Sequence, residues 1–179
     1  MVLHLPPEPP DVDISGPDWP ADLRIEQVPI DHSDAQLLIE GVQQEYVVRY
    51  GGHDRTPMEP SYFEPPDGAF FVGYRDEVPV TMGGWRFRPD VSRLGSDRPA
   101  EIKRMYVAPA ARRNGLARRM LQHLEDAARA AGAAVMILET GTAQPEAMAL
   151  YVAAAYEPVE PFGLYRDSPR NRCYGRRLS

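Results

Sequence analysis

Four arginines, Arg112, Arg113, Arg118 and Arg119, crowd the stretch Met105-Tyr-Val-Ala-Pro-Ala-Ala-Arg-Arg-Asn-Gly-Leu-Ala-Arg-Arg-Met120. From Leu116 onward the apolar residues Leu116, Met120, Leu121, Leu124, Ala127, Ala128 and Ala131 recur at helical spacing, and Gly132 stands where a C-terminal glycine cap belongs. The helix therefore starts near Asn114 or Gly115, and the arginines gather at its N-terminus. There the macrodipole is positive and the first amides lack partners, so cations are out of place unless an anion joins them. Gly115 and Ala117 lack bulk and let backbone N–H groups approach an oxyanion, as helix N-termini do when they hold phosphate. The alternative is a basic cap on a solvated helix face. A P-loop is excluded, because no glycine, four residues, then Gly-Lys-Ser/Thr occurs; a dinucleotide site is excluded for want of three spaced glycines with an acidic residue about twenty residues on.

The elements that position this loop follow from periodicity. Ala100-Glu-Ile-Lys-Arg-Met-Tyr-Val107 reads as the strand that feeds it, Val135-Met-Ile-Leu138 as a buried strand after the helix, and Gln144 to Tyr156 as a further helix leading into another strand. Upstream, Leu23 to Val28 alternates as a first strand. Ser33 can cap a helix through Leu37, Leu38, Val42, Tyr46 and Val47 that ends by Gly51-Gly52. His53 to Gly68, with Pro57, Pro60, Pro65 and Pro66, reads as an irregular loop of functional length. Ala69–Tyr74 and Val78–Phe87 flank Arg75-Asp-Glu77 as a hairpin, and late runs around Val159 and Cys173-Tyr-Gly supply terminal strands. Pattern alone supports an α/β or α+β class.

Read together, Val107-Ala-Pro109 and Arg112-Arg-Asn-Gly115-Leu-Ala117 resemble the acyl-coenzyme A loop of the GNAT N-acetyltransferase superfamily, Gln/Arg-x-x-Gly-x-Gly/Ala after a Val-x-Pro strand end. The later block is similar to that family's Asn-x-x-Ala-x-x-Leu-Tyr-x-x-x-Gly-Phe/Tyr segment: Ala147, Leu150, Tyr151 and Tyr156 match, while Gln144 stands for Asn and Ala155 for Gly. An alanine forced into the left-handed region there costs roughly 1 kcal/mol. The resemblance implies an α+β fold with a central, mostly antiparallel mixed sheet and splayed parallel strands flanked by helices, over residues 21–179. It implies acetyl-CoA as co-substrate, direct transfer without metal, and cofactor contacts from Met105, Tyr106, Val107, Arg112, Arg113, Asn114, Gly115, Leu116, Ala117, Arg118, Gln144, Ala147 and Tyr151. Glu101 stands in the strand where histone acetyltransferases of the superfamily place a base. Partial burial is expected to raise its pKa. The alternative is a solvated strand carboxylate or a partner of Lys103 or Arg104. Tyr151 matches the tyrosine that can protonate the departing thiolate, or else it fills the core beside Leu150. Trp85, Phe87, Tyr62, Phe63 and Phe162 are candidates for an acceptor pocket or for core.

Length and composition bound the rest. The chain has 179 residues, enough for one domain with a single core. Residues 1–20 carry Pro6, Pro7, Pro9, Pro10, Pro17 and Pro20 among acidic residues and read as an extended or disordered arm. No apolar run approaches the roughly twenty residues of a membrane span, and no signal sequence is evident, so a cytoplasmic protein is expected. A single cysteine, Cys173, excludes an intramolecular disulfide. The net charge of −6 divides unevenly: residues 1–97 hold 7 basic against 18 acidic residues, and residues 98–179 hold 13 against 8. A basic C-terminal half suits a phosphate-bearing ligand, and an acidic N-terminal half suits a cationic amine. No basic stripe interleaves with aromatics, which argues against nucleic acid. His4, His32, His53 and His123 are scattered, which argues against a metal cluster. The expected partner is a small-molecule amine, the chain acting as monomer or homodimer. Acetylation of a protein amine and a non-catalytic acyl-CoA sensor stand as alternatives.

Overall fold

The computed structural model describes residues 23–179, so the expected Pro-rich arm at 1–20 lies outside the described residues. The elements run β1 (Arg24–Gln27), α1 (Ser33–Tyr50), β2 (Gly68–Arg75), β3 (Val78–Phe87), β4 (Ala100–Val107), α2 (Leu116–Ala130), β5 (Val135–Gly141), α3 (Pro145–Ala153), β6 (Glu157–Pro158) and β7 (Asn171–Arg177), with short 3₁₀ turns at Pro60–Phe63 and Pro109–Ala111. Seven strands form one sheet in the order β1-β2-β3-β4-β5-β7-β6. Every neighbouring pair is antiparallel except β4 and β5, which run parallel. This is the mixed sheet expected. Among the described residues no helix is long and apolar enough to cross a membrane.

The sheet buries both faces, which is why its central strands read as near-continuous apolar runs. Phe71, Trp85, Ala100, Ile102, Met136 and Leu138 pack on one face against Met120, Leu121, Leu124 and Ala128 of α2 and Tyr151 of α3. On the other face Phe70, Val72, Met82 and Tyr106 meet Ala35, Leu38 and Val42 of α1. A separate cluster of Val91, Ile137, Phe162 and Cys173 covers the β5 side of that second face. Glu125 of α2 is buried yet satisfied: the Tyr156 hydroxyl donates to it at 2.9 Å and Arg176 of β7 donates at 3.0 Å.

Local chemistry explains the ends of the elements. The β2–β3 hairpin turns on Asp76 and Glu77, both at positive φ (49° and 60°), the type I′ geometry that matches strand twist. The expected Ser33 cap is a His32 cap instead: the imidazole Nδ1 accepts from the Asp34 amide at 3.2 Å, and Ser33 is already helical. Gly132 takes φ 97° just past α2, as its spacing indicated. Ala155 lies at φ 63° after α3, the strained conformation expected of an alanine in a glycine position. The last helix is shorter than its apolar pattern, ending at Ala153 rather than near Tyr156.

Two irregularities in β4 shape the centre of the molecule. Arg104 sits at φ 57°, and the register with β3 slips between Met82 and Gly84, so two β4 residues oppose one on β3. The bulge reverses the side-chain alternation, sending Ile102 and then Met105 to the α2 face. The parallel ladder with β5 holds only at Ala100–Met136 and Glu101–Ile137. Beyond these pairs β4 and β5 diverge, and the β5-side edge of Ile102–Val107 is left open.

Candidate active site

At the mouth of that divergence, the loop from β4 into α2 is arranged as an anion cradle. Gly115 takes φ 70° as the N-cap residue, a conformation that costs other residues about 1 kcal/mol or more, and no side chain caps the helix. The first helical bond runs from the Arg119 amide to the Gly115 carbonyl at 3.1 Å, so the amides of Leu116, Ala117 and Arg118 point out of the helix end. The four arginines divide into two pairs. Arg112 donates through Nε to the Val107 carbonyl at 2.9 Å and pairs with Glu45 of α1. Arg119 donates to the Leu23 carbonyl at 3.0 Å. Among the described residues, Arg113, itself at φ 64°, has no side-chain partner, and Arg118 carries a buried Nη1 with none. Asn114 shapes the loop, donating to the carbonyls of Ala111 and Arg112 at 3.2 Å. Leu116, 2% exposed, anchors it to the core. The cradle therefore offers free amides and two unneutralised guanidinium groups, which fits a polyphosphate.

Behind the cradle, a cleft of about 700 Å³ opens where β4 and β5 part, lined by Tyr46, Tyr50, Asp54, Ile102, Lys103, Arg104, Glu139, Gly141, Gln144 and Tyr165 among others. Met105, Tyr106 and Val107 continue the open β4 edge; the Tyr106 carbonyl also accepts from Thr81 Oγ1 at 2.8 Å. The C-terminal end of α1 is tied across the gap: Tyr50 donates to Gln144 Oε1 at 3.1 Å, and Arg49 reaches the Ala143 carbonyl at 2.7 Å and pairs with Glu146. A side chain at Gly141 would collide with the Tyr50 hydroxyl, so glycine is needed for this approach. Gln144 thus spends its carbonyl on α1. Ala147 packs half-buried against the α2-side core. Tyr151 is 6% exposed, its ring beside Tyr156 and Tyr174. Burial raises its pKa, with Tyr46 adding in the same direction, so the phenol keeps its proton through neutral pH.

Across the α1-side face of the sheet runs a buried charged row. Glu101 on β4 accepts from Arg86 Nε at 3.0 Å and from Arg88 Nη1 at 2.7 Å, both on the β3 side. Lys103 Nζ lies 3.6 Å from Glu101 Oε1 and 3.6 Å from Glu139 Oε1 on β5. Arg104 pairs with Asp54, which also accepts from Thr56 and from the Tyr165 hydroxyl. The two glutamates of the row are driven apart. For Glu101, burial pushes the pKa up, but Lys103, Arg86 and Arg88 together outweigh it and hold the carboxyl below its usual range. That corrects the expectation of a raised pKa, because three cations surround this carboxylate and it has no exposure to the cleft water. For Glu139, burial dominates and Glu101 and Asp54 add to it, so its pKa is raised despite Lys103. Its Oε2 is buried without a hydrogen-bond partner among the described residues.

Glu139 was not among the residues singled out from sequence. The one signal was an acidic residue closing the apolar run Val135-Met-Ile-Leu138, and only its place beside the divergence makes it informative. It lines both the first cleft and a second of about 1010 Å³, whose walls include Thr56, Tyr62, Arg86, Phe87, Arg88 and Phe162. Of the aromatic candidates, Tyr62, Phe87 and Phe162 face this second cleft. Trp85 and Phe63 are core, each 3% exposed.

Comparison with known proteins agrees with the geometry. The sequence profile of the acetyltransferase (GNAT) family matches residues 39–156. Over 69 residues the chain is 45% identical to a protein named IAA acetyltransferase from Azospirillum brasilense, a match that covers 38% of this chain and only 45% of that protein. The fold of the proposed acyl-CoA N-acyltransferase of Klebsiella pneumoniae superposes with a TM-score of 0.69 at 22% identity, covering 88% of this chain and 98% of that one. The Salmonella typhimurium yncA structure, which contains its cofactor acetyl-CoA, superposes with a TM-score of 0.60 at 16% identity, covering 89% and 95%. With the family profile spanning more than half of its length, over the splayed strands and the cradle alike, the chain belongs to the acetyltransferase (GNAT) family.

Proposed function

We propose that this acetyltransferase acetylates the primary amine of a small molecule by direct attack, with Glu139 as the general base and Tyr151 as the general acid. The observation that carries the reading is Glu139: Glu101 Oε1 and Glu139 Oε2 both lack a hydrogen-bond partner among the described residues, but only Glu139 has a raised pKa and lines both clefts. Acetyl-CoA supplies the thioester. The amides of Leu116, Ala117 and Arg118 with Arg113 and Arg118 are the groups suited to its phosphates, and the open β4 edge from Met105 to Val107 to its pantetheine arm. The acceptor arrives as an ammonium ion, and Glu139 takes its proton. The freed amine then forms the C–N bond as the C–S bond breaks. Tyr151, kept protonated by burial, gives its proton to the leaving sulfur, and the second proton that the nitrogen sheds on becoming an amide restores the phenol. Glu101, ionised among Arg86, Arg88 and Lys103, acts as the counter-ion that holds the row together rather than as the base. A small acceptor is favoured over a protein because Thr56, Pro57, Ser61 and Tyr62, from the loop after α1, wall the second cleft over Glu101.

The test is calorimetric titration with acetyl-CoA followed by thiol release over a panel of amines. Glu139→Gln is expected to lower kcat by about 100-fold or more with acetyl-CoA affinity unchanged, and Tyr151→Phe to lower it by about 10-fold or more. Full turnover in Glu139→Gln would remove it as base, and failure of the wild-type protein to bind acetyl-CoA would sink the whole assignment.

A further inference from the structure

We infer that the acceptor carries a carboxylate near its amine, and that Arg86 is the residue that receives it. The inference rests on the second cleft being the acceptor site. Arg86 stands on β3 in register with Glu101, on the same sheet face as Lys103 and Glu139. Its guanidinium is fixed from two sides: Nε donates to Glu101 Oε2 at 3.0 Å, and Cζ lies 4.9 Å from the centre of the Tyr62 ring. The side chain is only 12% exposed, yet Nη1 and Nη2 make no hydrogen bond among the described residues, and the residue lines the cleft. A guanidinium with its plane held and two parallel donors free is preorganised for a carboxylate fork.

Its neighbours Arg88 and Arg93 are spent. Arg88 uses Nε and Nη2 on Asp90 and Nη1 on Glu101. Arg93 donates to the carbonyls of Ser92, Glu160 and Pro161, and Arg98 to Asp67 while stacking on Phe87. Of the arginines lining this cleft, Arg98 and Arg166 are half or more exposed, and Arg86 is the largely buried one whose two Nη groups have no hydrogen-bond partner among the described residues.

Charge balance points the same way. With Glu139 ionised, Arg86, Arg88, Lys103 and Arg104 face Glu101, Glu139, Asp54 and Asp90 in equal number. When Glu139 accepts the acceptor's proton, one cation is left without a counter-charge in a partly dehydrated site, which is costly. An acceptor carboxylate on Arg86 restores neutrality as the amine becomes an amide. An amine with an uncharged tail leaves the imbalance in place.

Matched acceptor pairs test this: phenylalanine against phenethylamine, tryptophan against tryptamine, and methionine against 3-(methylthio)propylamine, each followed by thiol release with acetyl-CoA. The wild-type kcat/KM is expected to favour the carboxylate-bearing member by about 100-fold. Arg86→Met is expected to collapse that ratio toward unity through KM, with acetyl-CoA affinity unchanged, and Arg86→Lys to recover part of it. Equal or better use of the decarboxylated amines by the wild-type protein overturns the inference without any variant, leaving the base assignment standing. So does a ratio that persists in Arg86→Met. Loss of turnover in Glu139→Gln, with these ratios inverted in the wild type, separates a wrong acceptor class from a wrong active site.

Discussion

The phosphate cradle is contiguous in the chain, whereas the charged row takes its members from three strands and a loop. The cradle's working groups are backbone amides and two arginines, all between Arg113 and Arg118. The row sets Arg86, Glu101, Lys103, Glu139 and Asp54 side by side, and its chemistry lies in how their charges offset one another. A local device depends on helix geometry and tolerates change elsewhere. A long-range device depends on every partner, because removing one leaves a buried charge uncompensated at a cost of about 3–5 kcal/mol.

The largest effect that would break this contrast is expected at the cradle. Gly115→Glu forces a side chain into a left-handed position and sets a negative charge among the amides. It should weaken acetyl-CoA binding by about 100-fold or more, read by calorimetry. Undiminished affinity would mean that the phosphates bind elsewhere.

A smaller effect probes the row. Glu139 must be ionised to act, so its raised pKa places the acid limb of kcat/KM above the ordinary carboxylate range, and activity falls as pH drops through it. Lys103 is the cation that lowers this pKa. Lys103→Met should therefore move the acid limb to higher pH, while acetyl-CoA affinity changes little. A limb that stays in place would detach Lys103 from the base.

The smallest effect lies outside both regions. Ala155→Gly relieves a left-handed alanine at the end of α3 and should raise stability by about 1 kcal/mol, or about 2–4 °C in Tm, without altering the pH profile. A lowered Tm would show that the alanine methyl contributes more by packing than it costs in strain.

Several elements were legible because their cause is short-range. Leu116 to Ala131 carries its helical period and Gly132 its stop; Asp76-Glu77 sits between two apolar runs; Ala155 stands in a position that asks for glycine. Other features were not legible, since each depends on what a residue meets after folding. Ser33 and His32 are both able to cap, and the backbone chose His32. Arg112 resembles a phosphate ligand, yet Glu45, 67 residues earlier in the chain, engages it. Burial alone predicts a raised Glu101, and the three cations that reverse the shift come from β3, from the loop just after it and from β4.

Residue order alone was enough for the family, the mixed α+β fold and a helix start with free amides, because amide geometry, helical period and turn conformation are set within a few neighbouring residues. It was not enough to say which carboxylate is poised to accept a proton. That depends on the β4 bulge at Arg104, on the parting of β4 from β5 after Glu101, and on Lys103 lying 3.6 Å from both glutamates. A carboxyl's pKa is the balance of lost hydration against nearby charge, and both are properties of the folded neighbourhood rather than of the residue.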